Sequence, residues 1–279
     1  MIKKWFLFFL VALTLPLFSV AKSKPDLWFP VGERMIFQLY WGVIPVGEAI
    51  LWSEWIEQDG RTLLSIKITA KSNKILSKIY PVNDYMESII DPESFLPISF
   101  FKNVSEGRYR LKEITTFDYE AGKGYWQHLL KDKSREFDID PNTRDLITFM
   151  FYMRSQQLEE HNVYNYRVMA DEKLYDLIVN TKEKEKIKLP AMKRSFVGLK
   201  CDPEASFQGL FVRVGKLCVW VSDDDRRIAL KITARVPLAS VQILLKRVEG
   251  PGDDEYIRAS RKRSKETVTD EPLEEEDEE

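Results

Sequence analysis

Turn-forming residues recur along this chain at roughly 8–12-residue spacing, with side chains alternating apolar and polar between them, a rhythm that restricts the body to short antiparallel strands. Met35, Phe37 and Leu39 alternate with Ile36, Gln38 and Tyr40, Gly42 to Gly47 supplies turn chemistry, and the extended pattern resumes from Glu48 to Trp55. This reads as a β-hairpin. A third strand runs from Arg61 to Ala70, and further strands are predicted at Asp84–Asp91, Leu96–Asn103, Tyr109–Tyr119 and Lys123–Leu130. One segment departs from the rhythm. Asp140 has the chemistry of an N-cap with Pro141 at the first helical position, and Leu146, Phe149, Met150 and Met153 recur at three- and four-residue intervals. The pattern predicts a principal helix over 141–158 and a short helical turn over Ser72–Lys78. Strands then return at Val163–Ala170, Leu174–Lys186, Arg194–Cys201, Gly215–Ser222, Arg227–Val236 and Ser240–Glu249. Strands joined in sequence by short connections pair antiparallel, so the expected fold is mainly β, one antiparallel meandering domain over 22–252.

Both ends differ in composition from this body. Lys3 and Lys4 precede an apolar run from Trp5 to Leu13, extended to Phe18 and followed by Ser19-Val20-Ala21. The run is too short for a membrane span and is followed at once by a small-x-small site, the pattern of a signal peptide cleaved after Ala21. An exported, periplasmic protein is expected. At the other end, residues 253–279 hold twelve acids and five bases with little apolar content, so a disordered charged tail is expected there. Against the net charge of −2 for the whole chain, this tail and the basic leader leave the body slightly positive. Such a balance gives no strong case for nucleic acid or for an anionic membrane surface.

Cysteine and histidine are scarce. Cys201 and Cys218 form an even pair in a chain addressed to an oxidising compartment, and would lie within bonding range if their strands pair with the two side chains facing. A one-residue slip forbids the bond, leaving two buried thiols as the equal alternative. His128 and His161 are the only histidines, which disfavours a histidine-rich metal site. Asp223-Asp224-Asp225 lacks the spacing and glycine of a calcium loop and reads as a solvated turn. No glycine-rich phosphate loop, G-x-S-x-G elbow or H-E-x-x-H occurs, so neither a cofactor nor a metal is expected.

Five stretches, in order, resemble a known bacterial exported family. Gly32-Glu33-Arg34 leads through Tyr40-Trp41-Gly42-Val43-Ile44-Pro45-Val46-Gly47; Ser77-Lys78-Ile79-Tyr80-Pro81-Val82-Asn83-Asp84 follows; then come Phe95-Leu96-Pro97 with Glu106-Gly107-Arg108-Tyr109, the segment Asp145 to Arg154 ending in Y-x-R, and Gly215 to Asp224 with Arg226-Arg227. Together they resemble the family catalogued as Domain of Unknown Function 3108 over about 32–249. The chain departs from the pattern at Ala229, where a proline is expected, and before Cys201, where a P-x-G-x-F lead-in is absent. The resemblance implies an antiparallel coiled or spiral open barrel and no assigned reaction.

The residues offer several candidate binding groups. Tyr40, Trp41, Trp52, Trp55 and Trp220 could line an apolar cavity or fill a β core. Lys78, Tyr80 and Asp84 fall in a connecting segment, where polar side chains serve binding more often than in strands, or fix the loop. Arg108, Arg110 and Arg154 match anionic head groups through their guanidinium forks, with surface charge and helix-end complementation as the alternatives. The leading expectation is a non-enzymatic protein that binds an apolar or amphipathic envelope component, or a protein partner in envelope assembly. Two others are carried beside it: a cell-wall hydrolase, which needs two carboxylates or a nucleophile and base across a cleft near Asp84 and Arg108, and a scaffold whose charged tail docks a partner.

Overall fold

A computed structural model describes residues 24–170, 173–205, 217–236, 239–252, 254–259 and 261–262; residues 1–21, expected to be a signal peptide, lie outside them. In chain order the strands of the first half are β1 (Arg34–Trp41), β2 (Ile44–Gln58), β3 (Arg61–Ser72), β4 (Asn83–Asp91), β5 (Leu96–Glu106), β6 (Tyr109–Asp118), β7 (Lys123–His128) and β8 (Lys133–Asp138). A short β9 (Arg144–Asp145) leads into helix α1 (Leu146–Met153). The second half holds β10 (Val163–Ala170), β11 (Lys173–Leu189), β12 (Arg194–Ala205), β13 (Leu217–Ser222), β14 (Ala229–Val236) and β15 (Ala239–Glu249).

All of these strands join one sheet, in the order β8 to β1 followed by β15 down to β9. The first half walks outward from β1 to one edge, and the second half walks back from the other edge to close on β1 through the β1–β15 pair. The two outer strands β8 and β9 are consecutive in sequence and separated only by residues 139–143. That linker spans at most roughly 20 Å, whereas a flat sheet of this many strands would be roughly 65 Å wide. The sheet must therefore roll until its edges approach. An Arg167–Asp140 ion pair at 2.7 Å and the Arg144 Nε–H donating to the Phe95 carbonyl at 3.2 Å tie the seam, which leaves an open spiral.

The interior is filled. Leu64, Ile66 and Ile90 from one wall meet Leu230 and Leu245 from the other, and Phe29, Phe95 and Phe151 interlock with ring centroids 4.7–6.1 Å apart. Helix α1 is apolar all round, as a buried helix should be. Ile147 and Phe151 enter this main core, while Phe149 enters a second cluster with Val168, Leu177, Val179, Leu199 and Cys201.

The helix is shorter than the expected 141–158. Asp140 closes a turn instead, its N–H donating to Thr143 Oγ1 at 2.8 Å, and Arg144-Asp145 is held extended by parallel pairing with Val168-Met169. The N-cap is Asp145, fully buried, accepting from the N–H groups of Ile147 and Thr148 and from the hydroxyls of Ser88 and Thr148 at 2.6–3.0 Å. Burial lifts its carboxyl above the usual range, and these four donors oppose that shift.

The expected disordered tail is also corrected at its start. Residues 255–259 are helical, with Asp254 accepting from the Tyr256 and Ile257 N–H groups, and Tyr256 and Ile257 are buried in the main core. The folded body thus extends past Pro251-Gly252, and residues 263–279 lie outside the described residues. A run poor in apolar residues hid two that the core uses.

Cys201 and Cys218 are not bonded. Cys201 pairs with Val219, so Cys218 lies one residue out of register on the opposite face, packed against the main core while Cys201 sits in the second cluster. This is the one-residue slip that forbids a disulfide. Burial pushes the Cys201 thiol up to about 12, which suits an inert core residue. Thiol titration of the denatured, unreduced protein is expected to find two reactive thiols per chain. Zero would show a register shift in β13.

Candidate binding rim

In a meander, alternate turns fall on the same end of the sheet, so the β1–β2, β3–β4 and β5–β6 connections lie together. Printed side by side in the sequence they are unremarkable turns; folded, they gather most of the large hydrophobic side chains exposed among the described residues.

The β1–β2 hairpin turns through Gly42 and Val43. Gly42 has φ +59° and Val43 does not share the positive sign, so glycine stands first in a two-residue turn of the II′ kind. This puts Val43 at the tip, 89% exposed, between half-exposed Trp41 and exposed Ile44. Asn73 ties this hairpin to the next loop: its Nδ2 donates to the Pro45 carbonyl at 2.6 Å and its backbone N–H to Val46 at 2.8 Å. Its Oδ1 accepts from the N–H groups of Ile75 and Leu76, starting the short 3-10 turn Leu76–Lys78. The result presents Ile75 and Ile79 to solvent at 77% and 83% exposure, flanked by Lys74, Lys78 and Tyr80. The third loop docks through the Gly107 N–H to the Pro81 carbonyl at 2.8 Å and a bridge between Val82 and Glu106. Gly107 has φ +54°, and a Cβ there would stand 2.7 Å from the Tyr80 ring, so only glycine lets that ring lie across the turn beside exposed Tyr109.

The opposite end differs. Its turns at Asp59-Gly60, Pro92 to Phe95 and Tyr119 to Gly122 expose no large hydrophobic residue, and Phe95 is buried. Single exposed apolar residues on strand faces, such as Val197, are ordinary; a cluster on three interlocked loops is not.

Charge follows the same asymmetry. Residues 71–83 carry Lys71, Lys74 and Lys78 with no acid, and residues 106–112 carry Arg108, Arg110 and Lys112 against Glu106 alone. Arg110 is held at the tip by donating Nη1 to the carbonyls of Gly107 and Tyr109 at 2.9 and 2.7 Å. The near-neutral body thus conceals a local basic end, which total charge could not reveal.

Asp84 and Glu106 form a carboxyl pair at the base of the rim. Asp84 Oδ1 accepts from the Ser105 N–H at 2.8 Å, and the two carboxyls are hydrogen-bonded to each other. Burial raises both above the ordinary carboxylate range, and for Glu106 the Asp84 charge adds to this. The folded chain therefore holds these protons to higher pH than the unfolded chain. Stability from this pair is present below the unfolded carboxylate range, near pH 4, and is lost as pH rises through the raised folded values. Glu106→Gln is expected to raise stability at pH 7–8, by no more than ~1 kcal/mol after solvent screening, and to leave it unchanged near pH 4. Differential scanning calorimetry at the two pH values checks this; a variant less stable at pH 8 would contradict it. Carboxyls in direct contact also stand closer than the roughly 5 Å separation that retaining glycoside hydrolysis uses.

Of the candidate residues, Tyr40, Trp41, Lys78, Tyr80, Asp84 and Arg108 come together at this end, with Arg110. Two do not. Arg154 is buried, paired with Glu33, with its Nε–H donating to the Arg226 carbonyl at 2.9 Å; it is neither a ligand fork nor a helix-end charge facing solvent. Trp220 is buried under Lys231, whose Nζ lies 4.5 Å from the ring centroid, with the indole N–H donating to Glu185 at 2.9 Å. Trp55 packs against the core and Trp52 is half-buried. Asp224 serves its own turn, accepting from the N–H groups of Arg226 and Arg227 and from the Tyr256 hydroxyl, and no cluster of metal-ligating side chains occurs among the described residues. The reading from sequence did not single out Val43, Ile44, Ile75, Ile79, Tyr109 or Asn73 as binding groups. A signal was present in Lys74-Ile75-Leu76-Ser77-Lys78-Ile79-Tyr80, where apolar residues stand in a turn with no strand or helix to bury them.

The sequence profile of the protein family of unknown function DUF3108 matches residues 36–246. This chain belongs to that family. No curated protein matches it. Among solved structures it is similar to the crystal structure of a β-barrel-like protein of Domain of Unknown Function DUF1849 from Brucella abortus, at TM-score 0.53 and 8% identity, covering 81% of this chain and all of that one. At that identity the likeness concerns the fold alone, an open barrel-like sheet.

Proposed function

We propose that this DUF3108 protein is a non-catalytic, exported binding protein of the cell envelope that takes up an apolar or amphipathic component at the rim formed by residues 41–46, 73–82 and 106–110. The observation that carries this reading is the gathering of Trp41, Val43, Ile44, Ile75, Ile79, Tyr80 and Tyr109 as exposed side chains on three hydrogen-bonded loops at one end of an otherwise filled sheet. A packed interior leaves the ligand to be met at the surface, and the bordering lysines and arginines complement an acidic head group on an apolar body. Export is supported by the leader at residues 1–21. Titration of the purified protein with a fluorescent fatty acid tests this. Saturable binding that Ile79→Asp weakens by tenfold or more is expected. Absence of binding, or binding indifferent to the rim, would overturn it.

A further inference from the structure

The rim combines three kinds of side chain on adjoining loops. Val43 and Ile79 project furthest, each more than 80% exposed, on loops whose backbones are fixed to one another through Asn73. On the same loops Trp41 and Tyr80 are half exposed. Aromatic rings with a polar edge favour the level of lipid head groups, where an apolar face and a hydrogen-bonding tip are both satisfied. Lys74 and Lys78 flank Ile75 and Ile79 on the same loop, and residues 71–83 hold no acid to neutralise them. Exposed aliphatic side chains, half-exposed aromatic rings and cations are the groups by which a surface meets hydrocarbon, interface and phosphate when it settles into an anionic leaflet.

Resting on the binding role proposed above and specifying its partner, we propose that this end of the sheet docks on an anionic phospholipid bilayer, inserting the 42–46 and 74–80 loops and seating the lysines on lipid phosphates. Charge complementarity selects this occupant. A second copy of the chain would bring the same basic end against itself, and like charges would oppose that contact. Attachment is peripheral and reversible, since a few aliphatic side chains and cations contribute far less than a spanning segment.

Vesicle flotation tests the proposal, comparing phosphatidylcholine vesicles with vesicles containing 30% phosphatidylglycerol. Flotation is expected with the anionic vesicles, falling at least tenfold between 0.05 and 0.5 M NaCl as screening grows. Lys78→Glu should lower partitioning by roughly fivefold or more, about what one basic charge contributes at an anionic surface. Ile79→Asp should abolish flotation with the melting temperature unchanged, because the side chain is already in solvent; Val197→Asp, at an exposed site away from these loops, should do neither. Equal flotation with neutral vesicles, indifference to Ile79→Asp, or a rim-dependent dimer that ignores vesicles would overturn the proposal. Binding of monomeric fatty acid without vesicle binding would overturn it while leaving the broader binding role standing; failure of both removes both.

Discussion

Replacing Glu33 with alanine is expected to lower stability by about 3–5 kcal/mol, the range for removing one partner of a buried charge network. For a domain of this size that is a fall in melting temperature on the order of 10 °C. Glu33 is fully buried and receives Arg154, itself buried at the end of α1, and Arg226 from the turn between β13 and β14. Arg226 also pairs with Asp254, at the head of the C-terminal helical residues. The Glu33 carboxylate therefore bridges two guanidiniums, with Asp254 as the second counter-charge, and the cluster joins the start of β1, the helix and the C-terminal segment, elements far apart in sequence. Burial pulls Arg154 down from its usual value and the Glu33 charge opposes this, so removing Glu33 strips Arg154 of its ion-pair partner in a poorly solvated site and leaves Arg226 to Asp254. Thermal unfolding followed by circular dichroism checks the figure; a shift of under 2 °C would mean that solvent reaches this cluster. Replacing both Glu33 and Arg154 with methionine should recover part of the loss, since apolar residues of similar volume often substitute for a buried pair.

Tyr256→Ala carries a comparable effect, about 3–5 kcal/mol for a large aromatic side chain deleted from a core. The ring is 1% exposed and stacks on Phe196 at 4.8 Å and 12°, and its hydroxyl donates to Asp224 at 2.7 Å. Tyr256→Phe should cost less, about 1.5–3 kcal/mol, the range for a hydrogen bond to a charged group. Truncation after Gly252 should destabilise at least as much as Tyr256→Ala, whereas truncation after Lys262 should leave the melting temperature within 1–2 °C of wild type. If truncation after Gly252 left melting unchanged, the packing of Tyr256 and Ile257 would be refuted. A scaffold test that deletes 253–279 as a unit would confuse loss of the tail with damage to the core.

These two residues also mark what local patterning conveys. Strand alternation is a property of neighbouring residues, and it places β1 to β6 in their order, although β2 begins at Ile44, inside the Gly42–Gly47 stretch expected to turn, and runs on to Gln58, and β5 runs on to Glu106. The helix boundary is not, because Asp140-Pro141 satisfies every local rule for an N-cap while pairing with Val168-Met169 holds Arg144-Asp145 extended. Glu33 and Arg154 stand in recognisable motifs, yet their partnership spans more than a hundred positions and no spacing rule reaches so far. The cysteine pair turned on register, which a bulge or slip in distant strands decides. For the rim, the candidate polar and aromatic residues were visible as types. Their convergence was not, since it follows from alternate turns of one meander sharing an end, and the aliphatic tips that dominate it read as ordinary turn residues until the fold shows them exposed together.

Hydrogen–deuterium exchange of the purified protein with and without a long-chain amphiphile below its micelle concentration tests the central claim most directly, because it locates the contact. Protection confined to residues 41–46, 73–82 and 106–110, with the turns near 59–60 and 119–122 unchanged, is the predicted result. Protection at the opposite end or within the strands of the packed interior, with those three loops unaffected, would contradict it.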